Sequence, residues 1–153
     1  MVPRIMFSAT SQYALRALAY LSAQPKGSTV NGLELSRKTG IPKNYLSKVL
    51  LVLGNAGIID ATRGSGGGYR LSSDSEKTPL LRVVELFDRN IAKRACLLGL
   101  RSVCCDEDPC TAHQAWKSAK TVYYGFLEST TLCDISPADG ECLPVSAPVQ
   151  KSP

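Results

Sequence analysis

The glycine-rich run at residues 63–68, RGSGGG, constrains the fold of this chain more than any other feature. Four glycines in six residues are unsuited to a regular helix or strand, because glycine loses the most conformational freedom when it is ordered. The segments on either side, residues 58–62 and 69–71, have the aliphatic and aromatic composition of short strands. Two short strands around a glycine-rich turn predict a β-hairpin.

Three helical segments precede this hairpin. The first covers residues 11–23, where apolar residues recur at near-helical spacing after several serines and threonines that can cap its start. The second is short and ends at Gly40, and the third follows Pro42 and stops at Gly57. The third helix carries one apolar face, formed by Leu46, Val49, Leu50 and Leu53. Helix, short helix, tight turn, helix and hairpin is the order of a winged helix-turn-helix.

The start of the third helix is the predicted DNA-reading element. In a helix-turn-helix, the N-terminal residues of the second helix contact base edges in the major groove. Asn44 suits a base edge, and Lys43 and Lys48 suit phosphate or guanine. The predicted DNA-contact residues at this end of the helix are Pro42, Lys43, Asn44, Tyr45, Ser47 and Lys48. The competing interpretation is that these six residues form an ordinary solvated polar face of the helix.

The wing is the second predicted contact with DNA. Arg63 and Gly64 stand on a turn that glycines keep thin, and a narrow minor groove attracts arginine. Arg70, on the second strand, is the candidate for a backbone phosphate. A nucleotide-phosphate loop is disfavoured, since no Gly-Lys-Ser/Thr closes the run. The charge agrees with an anionic partner: residues 1–77 carry ten Lys/Arg against four Asp/Glu, a net of +6, whereas residues 78–153 carry eight against nine.

The C-terminal half contains two more predicted helices. Thr78 is the expected N-cap of the first, with Pro79 at its first position. The second begins near Ala112 and has apolar residues three and four apart, as far as Thr130, a pattern suited to packing on another helix. The fold is thus predicted to be mostly α with a small hairpin wing. The expected divisions are a winged helix-turn-helix at 1–77, a connecting helix and cysteine segment at 78–111, a dimerisation helix at 112–135 and a disordered tail at 136–153.

The segment between these helices has the composition of a metal site. Residues 96–116 hold four of the six cysteines and the single histidine. Cys104, Cys110 and His113 bring soft or borderline donors together, and Cys96 lies seven residues before that group. Their spacing does not separate an iron–sulfur cluster from zinc. The clustered cysteines could instead be unconnected buried thiols or a set of disulfides. Cys133 is interpreted separately, as a small residue of the core.

Three stretches together resemble the Rrf2 family of winged-helix bacterial repressors and activators, which includes IscR, NsrR and RirA. They are YALRALAYLS, LSRKTGIPKNYLSKVLLVLGNAGII and RGSGGGYRL, and the resemblance extends from about residue 7 to residue 135. It departs from the family at Ser65, where a proline is frequent. The resemblance implies a homodimer on a pseudo-palindromic double-stranded DNA operator, with the long C-terminal helix crossing its partner.

The resemblance also implies which metal group is bound. IscR-like members carry three cysteines in this segment and then a histidine and a tryptophan, and CTAHQAW, with His113 and Trp116, is similar. NsrR and RirA lack the histidine, can hold [4Fe–4S] and can take a ligand from the partner's first helix, where this chain has Gln12. A [2Fe–2S] cluster is therefore favoured over [4Fe–4S], with Cys105 as an alternative to Cys104. The implied ligands are Cys96, Cys104, Cys110 and His113.

Other sequence features argue against a membrane or secreted protein and against an enzyme. No apolar run approaches the ~20 residues of a membrane span, and the first residues lack the core of a signal peptide, so a cytoplasmic protein without a membrane partner is expected. No paired carboxylates or serine nucleophile motif stands out, so neither an enzyme nor a small-molecule substrate is expected. The main hypothesis is a regulator that senses redox state, nitric oxide or iron through its cluster. The alternatives are a thiol switch at Cys104 and Cys105 and a zinc-stabilised or electron-carrying interaction module.

Overall fold

The structure, a computed structural model, describes residues 7–88, 96–98 and 105–137. These ranges contain five α-helices, one antiparallel hairpin and one 3-10 turn. The helices are α1 (Ala9–Ser22), α2 (Gly32–Thr39), α3 (Lys43–Asn55), α4 (Leu80–Phe87) and α5 (His113–Ser129). The strands are β1 (Ile59–Thr62) and β2 (Gly68–Leu71), and the 3-10 turn is Ser75–Lys77. The mostly α fold with a hairpin wing is confirmed.

Local sequence signals explain where the N-terminal helices begin and end. The Ser8 hydroxyl accepts a hydrogen bond from the Ser11 amide at 3.1 Å and caps α1. The Asn31 side chain caps α2 in the same way, through the Glu34 amide at 2.8 Å. Gly40 ends α2 with φ of 68°, a left-handed conformation that favours glycine. The predicted cap of α1 by a serine and the predicted end of α2 at Gly40 are therefore confirmed, whereas the Asn31 cap was not predicted.

One apolar core joins the helices to the wing. Its members come from all five helices, from β1 and the residue before it, and from the connections at Val30, Ile41 and Leu132. The leucines and valines that the periodicity assigned to the inner face of α3 are all at most 4% exposed. Removal of such apolar side chains from water is the main favourable term in folding. The fully buried large side chains include Leu18, Leu35, Leu53 and Val83.

Backbone contacts hold the wing against the helix-turn-helix. Strand β1 pairs with β2 from Ile59 opposite Leu71 to Thr62 opposite Gly68. Val30, just before α2, extends this pairing with two hydrogen bonds to Tyr69, of 2.9 and 2.8 Å. A Cβ on Gly68 would lie 2.5 Å from the Val30 carbonyl oxygen, so a side chain does not fit there. Glycine is required at this position by the close approach of two backbones.

The junction of α4 and α5 differs from the sequence expectation in two places. Thr78 was expected to cap the helix with Pro79 inside it, but Pro79 is itself the flanking residue and α4 begins at Leu80. The apolar pattern of the long helix was expected to reach Thr130, within a division that extends to residue 135, but the helix ends at Ser129. One cause explains both: residues 130–132 turn back and pair with residues 78–80, which holds both segments extended.

The C-terminal end of α5 is therefore joined to the winged domain by main-chain hydrogen bonds. The Leu80 amide donates to the Thr130 carbonyl at 2.9 Å, and the Leu132 amide donates to the Thr78 carbonyl at 3.1 Å. Leu132 is fully buried and completes the core at this point. Within the described ranges, no helix is long and apolar enough to cross a membrane. The predicted tail lies almost wholly outside the described residues.

Candidate nucleic-acid interface and cysteine segment

The start of α3 presents the predicted polar face to solvent. Tyr45 is 38% exposed, and its ring lies 6.0 Å from the ring of Tyr13, so the side chain is supported by α1. The Ser47 hydroxyl donates to the Lys43 carbonyl at 2.9 Å, which keeps it close to the helix. The exposed residues are the six expected ones: Pro42, Lys43, Asn44, Tyr45, Ser47 and Lys48.

Helix α3 and the wing border one open cleft of about 880 Å³. Ser47 lines it from the helix, and Arg63 and Gly64 line it from the wing. Gly64 has φ of 99° and Gly66 has φ of 78°, so the turn depends on residues that adopt left-handed backbone at little cost. The fold thus brings the two predicted contact elements, which are separate in the sequence, to the two sides of the same opening.

Arg70 has a protein partner in addition to its predicted role. Its Nε lies 3.4 Å from Asp60 Oδ2 across the hairpin. The Ser72 hydroxyl donates to the other oxygen of Asp60 at 2.9 Å. Exposed pairs of this kind contribute little to stability. The ion pair sets the direction of the Arg70 side chain without removing it from solvent.

Leu51 also lines this cleft and was not among the predicted contact residues. It is 64% exposed although it is apolar and lies in the middle of α3. The signal was present in the sequence, because position 51 lies off the apolar face that Leu46, Val49, Leu50 and Leu53 form. An exposed aliphatic side chain on the helix predicted to enter the major groove suits contact with a thymine methyl group.

The cysteine segment is only partly described. Cys96, Cys105 and Cys110 are half-buried, Cys104 lies outside the described residues, and none of the described cysteines forms a disulfide. His113 is the first residue of α5 and is 6% exposed. Its amide donates to the Cys110 carbonyl at 3.0 Å, so these two predicted ligands share one turn. In the part of the chain that is described, no three His, Cys, Asp or Glu side chains lie close enough together to hold a metal.

Asp106 is the partner of His113 that sequence reasoning missed. The ring Nε2 of His113 lies 2.8 Å from Asp106 Oδ1. Lys117, one turn further along α5, donates to both oxygens of the same carboxylate at 2.8 and 2.9 Å. Hydrogen bonds from Lys117 and then from His113 lower the pKa of Asp106. A histidine and a lysine four residues apart on a helix lie on one face, which is the signal that could have indicated a shared acidic partner.

Cys133 does not occupy the core position expected for it. Its side chain is exposed, and the adjacent Leu132 is buried instead. Cys133 lies in the turn that follows the Pro79–Thr131 bridge, where its amide donates to the Glu76 carbonyl at 3.0 Å.

One face of α5 carries apolar side chains in solvent. Val122 is 75% exposed and Phe126 is 51% exposed, whereas Tyr124 and Leu127 on the opposite side are buried against the protomer. Trp116 is half-buried, with Lys120 Nζ 5.7 Å from its ring centroid. Phe126 belongs to the predicted helix-packing seam, and Val122 lies one turn before it on the same face of α5.

The fold and the face of α3 define a winged helix-turn-helix transcriptional regulator. The chain belongs to the Rrf2 family, described as "Iron-dependent Transcriptional regulator", whose pattern matches residues 7–138. The HTH-type transcriptional regulator NsrR of Bacillus subtilis is 30% identical over 125 residues, which cover 82% of this chain and 86% of that protein. IscR of Vibrio cholerae is 28% identical over 135 residues, 88% of this chain and 76% of that protein.

Solved structures show the same fold. The structure of CymR, the global cysteine regulator of B. subtilis, superposes with a TM-score of 0.71 at 22% identity. The match covers 86% of this chain and 96% of that chain. The curated relatives are named as transcriptional regulators, which agrees with the prediction that the chain is not an enzyme.

Proposed function

We propose that this regulator binds a DNA operator as a homodimer and that an iron–sulfur cluster in the segment 96–113 sets its affinity for DNA. The observation that carries the DNA-binding part is the shared cleft, with Ser47 of α3 on one side and Arg63 of the wing on the other. A duplex placed against this side meets the exposed end of α3 in its major groove and the thin wing in the adjacent minor groove.

The dimer part is supported by the exposed apolar face of α5. A helix face with Val122 and Phe126 in water favours burial against a second copy of the same helix. The main-chain pairing of residues 130–132 with 78–80 joins each α5 to its own winged domain. A dimer made through α5 therefore determines the distance between the two reading helices, which must match half-sites about 34–36 Å apart, or a multiple of that spacing.

The residue types of this segment match the ligands of an iron–sulfur cluster, although the described residues alone do not form a complete site. Thiols and one imidazole are the ligands of such clusters, and Cys110 and His113 already share one turn. Cys104 falls outside the described residues, and the described donors alone do not form a site. The residues that would hold a [2Fe–2S] cluster, in preference to [4Fe–4S], are Cys96, Cys104, Cys110 and His113. When bound, the cluster would supply a centre that oxidation, nitric oxide or iron shortage can remove.

The protein's own residues suggest how a change in this segment reaches the DNA. The segment lies between α4, which ends at Phe87 and is followed by Asp88, and α5, which begins at His113. Asp88 also accepts a hydrogen bond from the Ser8 amide at 2.9 Å, so the end of α4 is tied to the start of α1. Ordering of the segment biases the angle between α5 and the winged domain. This coupling requires the cluster to be held with different affinity in the DNA-bound and free conformations.

The test begins with protein purified without oxygen. Iron, acid-labile sulfide and zinc are measured per chain together with the visible spectrum, and binding to a randomised duplex pool is then measured with and without the bound group. About two iron and two sulfide per chain, together with selected sites of two-fold symmetry, are expected. Cys110→Ala should abolish both the cluster and the signal-dependent part of DNA binding. The matched control is Cys133→Ala, which changes an exposed thiol outside the segment. Zinc alone would make the segment structural, and DNA binding that ignores the state of the cluster would refute the sensing proposal.

A second candidate, a thiol-based switch, is supported by the half-exposed Cys105 thiol beside Cys104 in the sequence. Accessible thiols of this kind are the ones that peroxide oxidises first, when a neighbouring cysteine can resolve the product. Protein that contains no metal before exposure to air, and loses two titratable thiols per chain on peroxide treatment, would favour this function. A cluster protein instead loses iron as it loses its visible absorption.

A further inference from the structure

The middle of α3 carries an exposed apolar side chain on the helix face that borders the cleft. Leu51 is 64% exposed and lines the cleft together with Ser47, one turn before it, and Gly54, which follows it by three residues. A single exposed leucine is ordinary on a protein surface, so exposure alone indicates no function. What distinguishes Leu51 is its position. Residues four apart on a helix lie side by side on one face, and Ser47 is one of the predicted DNA-contact residues.

The hydrogen bonding of this face limits what it can recognise on a base pair. The Ser47 hydroxyl donates its proton to the Lys43 carbonyl at 2.9 Å, so its oxygen is left to accept. The Leu51 side chain neither donates nor accepts. Guanine presents two acceptors in the major groove, N7 and O6, and these call for donors that the two side chains do not offer. The base features that suit them are an amino group for Ser47 and the thymine methyl group for Leu51.

The cleft leaves room for a base edge beside Leu51. A Cβ added to Gly54 would meet nothing within 4 Å, so no described protein atom fills that position next to the leucine. Arg63 borders the cleft from the wing, so a duplex that occupies it is approached from both sides. Contact between Leu51 and a methyl group removes apolar surface of both from water, which is the source of the attraction.

We propose that Leu51 determines part of the sequence preference of this regulator by contacting the C5 methyl group of a thymine in each half-site. The inference rests on the operator binding proposed above, and it adds the base feature that the middle of α3 reads. Leu51 lies about 6 Å along the helix axis from Ser47, at 1.5 Å per residue. Bases are spaced by about 3.4 Å along the duplex, so the thymine lies within about two base pairs of the base that Ser47 contacts.

The test uses full-length protein and duplexes in which only the methyl group changes. A duplex is first selected from a randomised pool with protein purified without oxygen. Each thymine is then replaced in turn by deoxyuridine, which keeps the base pairing and lacks the methyl group, and fluorescence anisotropy measures the dissociation constant. For the wild type, one thymine per half-site should be sensitive. Its replacement in one half-site should weaken binding about fourfold, which corresponds to ~0.8 kcal/mol for one buried methyl-sized group.

Variants of the leucine assign the effect to its side chain. Leu51→Ala should bind the thymine duplex more weakly and should lose the sensitivity to uracil at that position, whereas Leu51→Met, which keeps a long apolar side chain, should retain it. The matched control is Leu33→Ala, which removes a leucine of α2 that is 46% exposed and does not line the cleft. That variant should respond to uracil as the wild type does. Urea unfolding of each variant checks that the fold is intact.

The outcomes distinguish failure of operator binding from failure of the role of Leu51. Wild-type protein that selects no duplex, with or without its bound group, would overturn the proposed operator binding and the role of Leu51 with it. A selected duplex without any uracil-sensitive thymine would overturn the role of Leu51 alone. The same holds if folded Leu51→Ala keeps the wild-type sensitivity to uracil, because another residue then reads the methyl group.

Discussion

Replacement of Gly68 by alanine should separate the wing from the helix-turn-helix while leaving the helices folded. The added Cβ would lie 2.5 Å from the Val30 carbonyl oxygen, 2.7 Å from its carbon and 3.0 Å from the Asn31 nitrogen. All three are backbone atoms, so no side chain can rotate away to make room. The two backbones have to move apart, and the two hydrogen bonds between Val30 and Tyr69 open with them.

The expected cost follows from those two bonds. Each contributes about 0.5–1.5 kcal/mol net, so their loss should lower the free energy of unfolding by about 1–3 kcal/mol. With an ordinary urea dependence of about 1–3 kcal/mol per molar, the unfolding midpoint should fall by roughly 1 M. The wing arginine, Arg63, is carried on the same hairpin. DNA affinity should therefore decrease by more than the small unfolded fraction accounts for.

Urea unfolding followed by circular dichroism, and fluorescence anisotropy with a labelled duplex, measure the two effects. Gly54→Ala is the control for stability, since Gly54 lies in the exposed part of α3 and an added Cβ meets nothing within 4 Å. That substitution should stabilise the protein, by about 0.4–1 kcal/mol. Equal unfolding midpoints for Gly68→Ala and the wild type would refute the close approach of the wing to Val30.

Three further predictions test other parts of the molecule. Lys48→Ala should weaken binding to all duplexes alike. It should also reduce the slope of the logarithm of the binding constant against the logarithm of salt concentration by about 0.9 for each phosphate that is no longer neutralised. Fluorescence anisotropy across a series of salt concentrations measures both effects. Leu127 is fully buried, so Leu127→Ala should lower the free energy of unfolding by about 2–5 kcal/mol. Phe126 is 51% exposed, so Phe126→Ala should instead shift the protein toward the monomer in sedimentation velocity. Burial acts to raise the pKa of Asp88, but hydrogen bonds from Ser8 and Ser11 outweigh burial and lower the pKa below its ordinary value. The stabilisation should therefore be present above the ordinary pKa of an aspartate and be lost as the pH falls through the lower folded pKa. Urea unfolding of Asp88→Asn should lack this acid dependence.

In the cysteine segment, the spacing of the residues predicted local contacts but not contacts made by folding of the loop. The sequence placed Cys110 and His113 within one turn, and the structure agrees, because a hydrogen bond from residue 113 to residue 110 is a local feature. It did not indicate that Asp106 would contact the histidine. That contact requires the loop to fold back over α5, and loop closure of this kind leaves no periodic pattern in the chain. The predicted ligand set therefore stays a prediction, while the partner of its histidine is a structural finding.

The sequence by itself determined the helix-turn-helix, the hairpin and the exposed face of α3. Each depends on interactions between residues close in the chain: the caps at Ser8 and Asn31, the left-handed glycine at position 40 and the period of the apolar residues. Only the tertiary structure decided that Pro79 lies outside α4 and that α5 stops at Ser129. Those boundaries are set by hydrogen bonds between segments some fifty residues apart in the chain. Local propensity cannot specify such pairing, because it is stable only after the helices on both sides have packed.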